Sequence, residues 1–253
     1  MTAFDQLHPS VQHHVVNSLE WRSLRPLQEQ AIGPVLAGKN CLLLAPTAGG
    51  KTEAAVLPIL SRMLSENWLG LSVLYVCPIR ALLNNLEHRL SYYAGLVGRT
   101  CGLWHGDVAQ AAKSRTLAEP PDILLTTPES LEALLISRRT DRFFFFGSVR
   151  SIIIDEIHAF AGDDRGWHLL AVLERIRHIT KQDMQRIGLS ATVGNPETLL
   201  RWFTGPSARE SVIVSPPGAP PAEADVEIDF VGNLQNAAKV LKILHRGDRK
   251  SVV

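Results

Sequence analysis

The sequence has few cysteines, no long apolar run and no excess of charge of either sign. Its three cysteines, Cys41, Cys77 and Cys101, are odd in number, and none lies at metal-ligand spacing from another. This argues against a disulfide framework, and we expect each cysteine to act as a small buried hydrophobe. The longest apolar runs fall far short of the roughly 20 residues that span a bilayer, which argues against a membrane protein.

The N-terminal segment MTAFDQLHPS lacks the apolar core of a secretory signal. Together with the cysteine pattern, it predicts a reduced, cytoplasmic protein. The chain has 26 basic and 25 acidic residues, for a formal net charge of +1. That balance argues neither for nor against a nucleic-acid partner, because a local basic patch can be hidden in a neutral average. His8, His13 and His14 have no partner cluster, so no structural metal is expected.

Short apolar runs alternate with longer helical patterns along the first 214 of the 253 residues. Most runs are apolar on both faces, as expected of strands covered by helices on both sides. The repeated strand–helix–strand order predicts an α/β fold, a three-layer domain with a mainly parallel sheet. The predicted strands are residues 41–45, 71–77, 99–105, 122–127, 149–155, 185–191 and 211–214, and the main predicted helices are 51–65, 80–95, 128–137 and 167–179.

The composition changes after residue 214. The segment SPPGAPPAEA, residues 215–224, holds four prolines in ten residues and predicts a linker. Beyond it, VEIDFV predicts a strand and LQNAAKVLKILHRG predicts a helix. We therefore expect one domain over residues 1–214 with a helical segment at its N-terminus, a linker over 215–224, and over 225–253 the beginning of a second, apparently truncated domain.

The segment APTAGGKT, residues 45–52, lies between a predicted strand and a predicted helix and has the outline of a phosphate-binding loop. Ala45 replaces the first glycine of the usual pattern G-x-x-x-x-G-K-[ST]. Small residues let backbone N–H groups converge on phosphate oxygens, Lys51 would neutralise the β- and γ-phosphates, and the Thr52 hydroxyl would bind Mg²⁺. A glycine-rich turn without a ligand is the alternative. The predicted ATP·Mg²⁺ contacts here are Thr47, Ala48, Gly49, Gly50, Lys51 and Thr52.

Two adjacent acids, Asp155 and Glu156, follow a run of three isoleucines. Asp155, at the carboxyl end of a buried strand, is placed to hold Mg²⁺, and Glu156 is placed to orient and deprotonate an attacking water. Such a pair is costly to bury without a cation. An acidic loop after a core strand is the alternative. Together with Lys51, the pair favours an ATPase that converts hydrolysis into motion, with Lys51, Asp155 and Glu156 as its catalytic residues.

The string DEIH, residues 155–158, is a DExH box, and with APTAGGKT it resembles the first RecA-like motor domain of superfamily 2 helicases. The strings WHGDV, PDILLTTPESLE, DEIHAFAGDDRGWHLL and QRIGLSATVGNPE resemble the large helicase-related (Lhr) group within it. Ala48 departs from the glycine often found at its position in relatives, yet nucleotide binding is expected to survive. The remaining motifs stand in the family's order: RPLQEQA resembles the Q-type segment, PIRALLNN motif Ia, TTPESLE motif Ib and SAT motif III.

The resemblance implies roles for residues outside the phosphate loop. It places Arg25 and Gln28 near the adenine base. It also implies that His158, Ser190 and Thr192 couple the nucleotide site to the nucleic-acid track. A packed histidine without such a role is the alternative for His158.

The carboxyl ends of parallel strands meet at one edge of a sheet, which is where such sheets bind ligands. Lys51, Arg80, Thr127, Asp155 and Ser190 all follow or close predicted strands, so we expect them to share that edge. The charge of Arg80 and the hydroxyl of Thr127 suit contacts to the phosphates of a single strand. An ordinary exposed arginine and a helix cap are the alternatives for these two residues.

Two further features have more than one interpretation. Trp21 lies seven residues before Gln28 and either stacks on adenine or belongs to the core. The charged loop formed by Asp163, Asp164 and Arg165 faces a second domain or the nucleic acid, or it is merely solvated.

The sequence therefore predicts the motor domain of an ATP-dependent helicase or translocase that moves along single-stranded nucleic acid, with DNA favoured and RNA as the other option. Motors of this type hydrolyse ATP between two RecA-like domains, and the second domain supplies an arginine finger. We expect residues 1–253 alone to bind ATP with weak turnover and little unwinding. A translocase that remodels nucleoprotein without separating strands is one alternative, and a nucleotide-dependent interaction module is another.

Overall fold

The structure, a computed structural model, describes residues 2–46, 49–191 and 193–217. Within these ranges, the seven runs predicted as strands form one sheet in which every pairing is parallel. The predicted α/β fold with a parallel sheet is therefore confirmed. The strands are β1 (Asn40–Leu44), β2 (Val73–Val76), β3 (Cys101–Trp104), β4 (Ile123–Thr126), β5 (Ser151–Ile154), β6 (Gln185–Ser190) and β7 (Ser211–Val214).

The strand order in the sheet is β3-β4-β2-β5-β6-β1-β7. The central strand is β5, which ends immediately before the two adjacent acids. The edge strands are β3 and β7. Because the chain enters every strand from the same side, all of the loops that follow the strands lie at one edge of the sheet.

Helices connect the strands. The four main predicted helices are confirmed with ends that differ by no more than three residues. The helices are α1 (Pro9–Asn17), α2 (Pro26–Leu36), α3 (Lys51–Ser65), α4 (Arg80–Leu96), α5 (Gln110–Ala118), α6 (Pro128–Ile136), α7 (Arg142–Phe146), α8 (Asp164–Thr180) and α9 (Pro196–Thr204).

Helices α1, α2, α5, α7 and α9 were not among the four main predicted helices, although α1 and α2 fall in the N-terminal segment predicted to be helical. The sequence of α5, QAAKSRTLA, buries none of its residues, so it shows no apolar periodicity. The five-residue helix α7, RFFFF, is too short to show a period, and the carboxylate of Asp141 caps its amino end. Local periodicity alone therefore misses an exposed helix such as α5 and a helix of little more than one turn such as α7.

The sheet separates two apolar cores. Successive side chains of a strand point to opposite faces, so Cys41 and Leu43 of β1 pack into one core, whereas Leu42 and Leu44 pack into the other. The first core is completed by side chains from α1, α2, α3 and α4, and the second by side chains from α6, α7, α8 and α9. Each fully buried leucine contributes about 1.5–3 kcal/mol. Both faces of the sheet are covered, which explains why the strands read as continuous apolar runs.

Helices that follow strands begin at residues suited to the turn. Gly50 precedes α3 with φ of 76°, in the left-handed region. The Thr127 hydroxyl accepts a hydrogen bond from the Ser130 N–H at 3.4 Å and caps α6. The Asp163 carboxylate accepts one from the Arg165 N–H at 3.2 Å and caps α8. By fixing the residue at which each helix begins, these caps set the positions of the side chains at the carboxyl edge of the sheet.

The opposite, amino edge of the sheet carries a buried polar network. Arg186, which is 1% exposed, donates to the carbonyl oxygen of Phe203 at 2.9 Å and pairs with Glu174. The side-chain oxygen of Asn40 accepts from the Arg186 N–H at 2.9 Å. The Gln185 amide donates to the carbonyl oxygen of Val35 at 3.0 Å. This network ties β1 and β6 to α2, α8 and α9.

The cysteines are free, with Cys41 and Cys77 buried as expected and Cys101 half-buried. Burial raises the pKa of the Cys41 and Cys101 thiols to about 12, so neither is a reactive thiolate at neutral pH. In the described part of the chain, no helix is both long and apolar enough to cross a bilayer.

The chain divides into two units, Met1–Pro216 and Pro217–Val253. The strand and helix that the sequence predicts after the proline-rich segment belong to residues 218–253, outside the described ranges. The two-domain organisation therefore stays a prediction.

Candidate nucleotide site and nucleic-acid interface

The end of the predicted phosphate loop lies at the start of α3. A Cβ on Gly50 would approach Gln28 Nε2 to 2.5 Å, so a larger residue does not fit there without a shift. Lys51 is buried, and its ammonium donates to the carbonyl oxygens of Ala45 at 3.0 Å and Pro46 at 3.4 Å. The ammonium and the amino end of α3 together give this end of the site a positive potential, which suits the phosphates of a nucleotide.

Asp155 follows β5 and is buried. Its carboxylate accepts hydrogen bonds from the Tyr75 hydroxyl and from the Glu156 N–H, each at 2.9 Å. Burial raises the pKa of Asp155 above its usual value of 3.8, and the charge of Glu156 acts in the same direction. The Tyr75 hydrogen bond and the charge of Lys51 lower that pKa in part. A carboxylate in this setting is stabilised by an added cation.

A cavity of about 740 Å³ opens between these groups. Arg25 and Gln28 line it, and the Arg25 N–H donates to the Gln28 side-chain oxygen at 2.9 Å. Trp21 also lines the cavity, while its half-buried ring packs against the core formed with α1–α4, so its core interpretation holds without excluding an adenine contact. The predicted residues that share this cavity are Gly49, Gly50, Lys51, Thr52, Asp155 and Glu156.

Arg89 of α4 enters the same cavity, and sequence reasoning did not single it out. Its guanidinium donates to the Thr52 hydroxyl at 3.1 Å and lies 3.3 Å from the Glu53 carboxylate. Glu53 also accepts a hydrogen bond from the Tyr93 hydroxyl at 3.3 Å. The hydroxyl predicted to bind Mg²⁺ is therefore hydrogen-bonded to a cationic side chain.

His158 bridges the ends of β5 and β6. Its Nδ1 lies 3.0 Å from the Ser190 hydroxyl and 3.5 Å from the Glu156 carboxylate. Glu156 has φ of 45°, a conformation uncommon for residues other than glycine that costs on the order of 1–3 kcal/mol. The geometry thus connects the predicted catalytic acid to the predicted coupling residues.

A second cavity of about 780 Å³ lies at the same edge of the sheet, and both Arg80 and Thr127 line it. Its charged lining side chains comprise four cations and one carboxylate, so a local basic patch does exist within the neutral average of the chain. These charged side chains are Arg80, Lys113, Arg139, Arg165 and Glu129.

The surroundings of the two predicted phosphate contacts differ. Arg80 is exposed, and its Nη1 donates to both oxygens of the Asp107 carboxylate, at 2.9 and 3.1 Å. Thr127 is buried, and its hydroxyl donates to the Ser130 hydroxyl at 3.1 Å in addition to capping α6. The helix-cap interpretation of Thr127 is therefore confirmed, and a contact to a phosphate would come in addition to it.

The charged loop after the DExH box contributes to the second cavity. Arg165 donates to the Glu129 carboxylate at 2.7 Å and to the carbonyl oxygen of Pro78 at 2.8 Å. Its guanidinium carbon also lies 5.6 Å from the centre of the Phe160 ring. Arg165 is thus fixed in place beside motif Ib and is not a solvated loop residue, whereas Asp163 is a helix cap.

Most predicted site residues lie in or beside the two cavities. Three others, Thr47, Ala48 and Thr192, lie outside the described residues. The residues that reasoning from sequence missed, Arg89 and Asp107, pair with partners 37 and 27 residues away. Asp107 stands in the quoted string WHGDV, which was the only signal that could have singled it out.

Fold and site together define a P-loop nucleoside-triphosphatase domain of the RecA-like class. The sequence profile of the DEAD/DEAH box helicases matches residues 25–199. The chain belongs to the DEAD/DEAH box helicase family. Membership implies an ATP site and a nucleic-acid-binding surface in this domain.

Within the family, the chain is similar to Lhr proteins. It is 36% identical over 228 residues to the Lhr helicase/probable uracil glycosylase of Mycolicibacterium smegmatis, covering 83% of this chain and 15% of that protein. It is 37% identical over 206 residues to the ATP-dependent helicase Lhr-Core of Methanothermobacter thermautotrophicus, covering 74% of this chain and 24% of that protein. The chain thus spans less than a quarter of the length of either relative.

Solved structures agree with the sequence comparison. The helicase Lhr of Mycobacterium smegmatis, bound to ssDNA and AMP-PNP, superposes with a TM-score of 0.75 at 34% identity, over 87% of this chain and 29% of that one. The DEAD-box helicase Mss116, bound to ssRNA and UDP-BeF, superposes with a TM-score of 0.73 at 20% identity, which shows the shared fold alone.

Proposed function

We propose that this chain is the first motor domain of an Lhr-like helicase or translocase that uses ATP hydrolysis to move along single-stranded DNA. The observation that carries the proposal is the pair of cavities at one edge of the sheet. The first holds the groups suited to ATP hydrolysis, and the second holds cations suited to a phosphate backbone. DNA is preferred because the Lhr structure at 34% identity is bound to ssDNA.

The groups of the first cavity divide the work of hydrolysis. The Lys51 ammonium, released from two backbone carbonyls, neutralises phosphate charge. Glu156 orients the attacking water and accepts its proton. His158 links that carboxylate to Ser190 at the end of β6, a route by which the state of the nucleotide can reach the neighbouring surface.

The donor set fits Mg²⁺. Thr52 and Asp155 present the hard oxygen ligands that this ion prefers, and Mg²⁺ is usually held by one or two protein oxygens together with substrate phosphates. Asp155 is buried, and burial raises the pKa of its carboxyl, so an added cation would stabilise the charged form. Mg²⁺ bound there would supply charge neutralisation to the phosphates.

Two variants of the 253-residue chain test the nucleotide site. We expect Lys51→Ala to weaken binding of a fluorescent ATP analogue at least tenfold, measured by anisotropy at fixed Mg²⁺. We expect Glu156→Gln to retain binding and to lose single-turnover hydrolysis. Because an arginine finger from a second motor domain is worth about 10³–10⁵ in rate, hydrolysis by this chain alone should be slow. Binding independent of Lys51, or hydrolysis unchanged in Glu156→Gln, contradicts the assignment.

The nucleic-acid surface is tested separately. We expect Arg80→Ala to weaken binding of a fluorescein-labelled single-stranded DNA and to reduce the dependence of that binding on salt, because one phosphate contact is removed. The matched control is Arg177→Ala, since Arg177 lies on α8 away from both cavities. Equal effects of the two variants would contradict a phosphate contact at Arg80.

A further inference from the structure

The second cavity is larger and more apolar than contacts to a phosphate backbone require. Arg80 and Thr127 form only part of its lining. The cavity continues between α5 and α6, where apolar side chains form a wall: Trp104, Leu117, Ala133 and Leu134. A volume of about 780 Å³ is in the range of sites that enclose small organic ligands.

Trp104 holds a distinctive position in this wall. It is the last residue of the edge strand β3, so no further strand covers it on one side. Its register partner on β4 is Thr126, the residue before Thr127, and paired strands lie about 4.8 Å apart. The half-buried ring lines the same cavity as Thr127, the predicted phosphate contact, and lies on a strand whose position the sheet fixes.

Polar groups around the ring suit a nucleotide. The Lys113 ammonium lies 6.0 Å from the centre of the Trp104 ring and donates to the carbonyl oxygen of Gly106 at 2.9 Å. Thr140 is 7% exposed and lines the same cavity, and its hydroxyl has no hydrogen-bond partner among the described residues. Unpartnered buried hydroxyls are uncommon, since leaving one unpaired costs about 1–3 kcal/mol.

The charges, the aromatic ring and the unpartnered hydroxyl of this cavity together indicate what kind of ligand it suits. The surplus of cations around the cavity favours an anionic ligand over a neutral peptide. An aromatic ring beside a phosphate contact favours a flat, stackable group joined to that phosphate. An unpartnered hydroxyl favours a group with polar atoms at its edge. A nucleobase on a sugar–phosphate backbone has all three properties.

We propose that the part of the second cavity lined by Trp104, Lys113 and Thr140, the base cavity, receives one unstacked nucleobase of the strand. Lys113, whose ammonium lies over the ring, turns to the adjoining phosphate, and Trp104 then stacks on the base. The Thr140 hydroxyl bonds to the polar edge of that base. The inference rests on the proposed function, because Arg80 and Thr127 must hold the backbone of the same strand. Stacking tolerates every base, so the cavity strengthens the grip without reading sequence.

The experiment compares two 12-nucleotide strands, oligo-dT and an oligomer with the same backbone that is abasic throughout. Base–aromatic stacking is worth about 1–3 kcal/mol, so the unaltered 253-residue chain should bind oligo-dT about 5- to 150-fold more tightly. Trp104→Ala should lose most of that preference, and Trp104→Phe should retain it. Thr140→Val, which keeps the shape of the side chain, should lose part of it. Arg80→Ala should weaken binding of both strands and leave the preference intact.

The outcomes separate the two proposals. If Trp104→Ala keeps the full preference for oligo-dT, the base cavity is wrong, while the nucleic-acid surface stands. If the unaltered chain binds neither strand, the nucleic-acid surface fails and the base cavity fails with it. If circular dichroism shows Trp104→Ala to be unfolded, Thr140→Val decides, and an unchanged preference in that variant overturns the inference.

Discussion

The guanidinium of Arg89 donates a hydrogen bond of 3.1 Å to the hydroxyl of Thr52, the group proposed to hold magnesium. Under the proposed function, Arg89 and Mg²⁺ compete for the same threonine oxygen. The contact that joins α4 to α3 at the site would therefore oppose binding of the ion.

Removal of Arg89 should therefore ease magnesium binding. A hydrogen bond is worth about 1 kcal/mol, so Arg89→Ala should lower the Mg²⁺ concentration that gives half-maximal binding of an ATP analogue by about fivefold. Titration with Mg²⁺ at fixed nucleotide measures this, and Arg89→Lys, which keeps a cation, is the matched control. An unchanged or higher half-maximal concentration in Arg89→Ala would show that the two do not compete.

The ion pair of Arg89 with Glu53 predicts a cost in stability. The Glu53 side chain is 9% exposed, so loss of its cationic partner leaves a nearly buried charge. Arg89→Ala should lower the free energy of unfolding by about 2 kcal/mol, and the double variant Glu53→Gln with Arg89→Ala should lose less. Urea unfolding of the single and double variants gives the coupling energy. Additive effects would mean that the pair contributes nothing.

The pair formed by Arg80 and Asp107 predicts competition with nucleic acid. The Asp107 carboxylate binds Nη1 of the guanidinium, where it competes with a phosphate for the same cation, and exposed pairs are worth at most about 1 kcal/mol. Asp107→Asn should thus bind single-stranded DNA about three- to fivefold more tightly at low salt, with a smaller gain as salt screens the charges. In an Arg80→Ala background, the same substitution should have little effect. If Asp107→Asn still tightened DNA binding in the Arg80→Ala background, the gain would not come from release of Arg80.

His105 predicts how stability depends on pH. It is buried, its Nε2 lies 3.0 Å from the Asn84 side-chain oxygen, and its Nδ1 accepts from the Asp107 N–H at 3.3 Å. Burial lowers the pKa of His105 below its usual value of 6.5, and nearby Asp107 offsets this in part. The unfolded chain thus binds this proton more tightly, so stability falls as the pH drops below about 6.5.

The expected measurement is a difference between two proteins. Acidification from pH 7.5 to 5.5 should lower the urea midpoint of the unaltered chain more than that of His105→Asn, because the variant has no proton to take up at this position. Equal losses in the two proteins would show that His105 does not contribute.

Two helical glycines predict opposite effects of the same substitution. A Cβ on Gly166 of α8 would approach the carbonyl oxygen of Phe160 to 2.0 Å, a backbone atom that cannot rotate away. Gly166→Ala should therefore destabilise the chain by about 3 kcal/mol. Gly95 of α4 has nothing within 4 Å of such a Cβ, so Gly95→Ala should stabilise it by about 0.5–1 kcal/mol. Thermal unfolding compares the pair, and a similar loss in both would contradict the packing at Gly166.

The site residues that the sequence predicted are those whose positions follow from a local sequence pattern. Lys51 and Thr52 follow a strand and open a helix, and Asp155 follows three isoleucines, so strand-end placement alone puts them at one edge. The partners that adjust them come from afar: Tyr75 lies 80 residues from Asp155, and Arg89 lies 37 residues from Thr52. No periodicity connects such pairs, because only the folded sheet brings their elements together. The polar helix α5 was not predicted for a related reason. It buries no side chain, so its sequence has no apolar periodicity.

The polar network at the amino edge has a consequence for protein engineering. Arg186, Asn40 and Gln185 close one end of the sheet, while the acids and the phosphate loop stand at the other end, about 17–20 Å away along the six residues of β6. Substitutions that stabilise the scaffold can be placed at the amino end without touching a reacting group. The amino edge can therefore be engineered for stability separately from the groups proposed to carry out the motor chemistry.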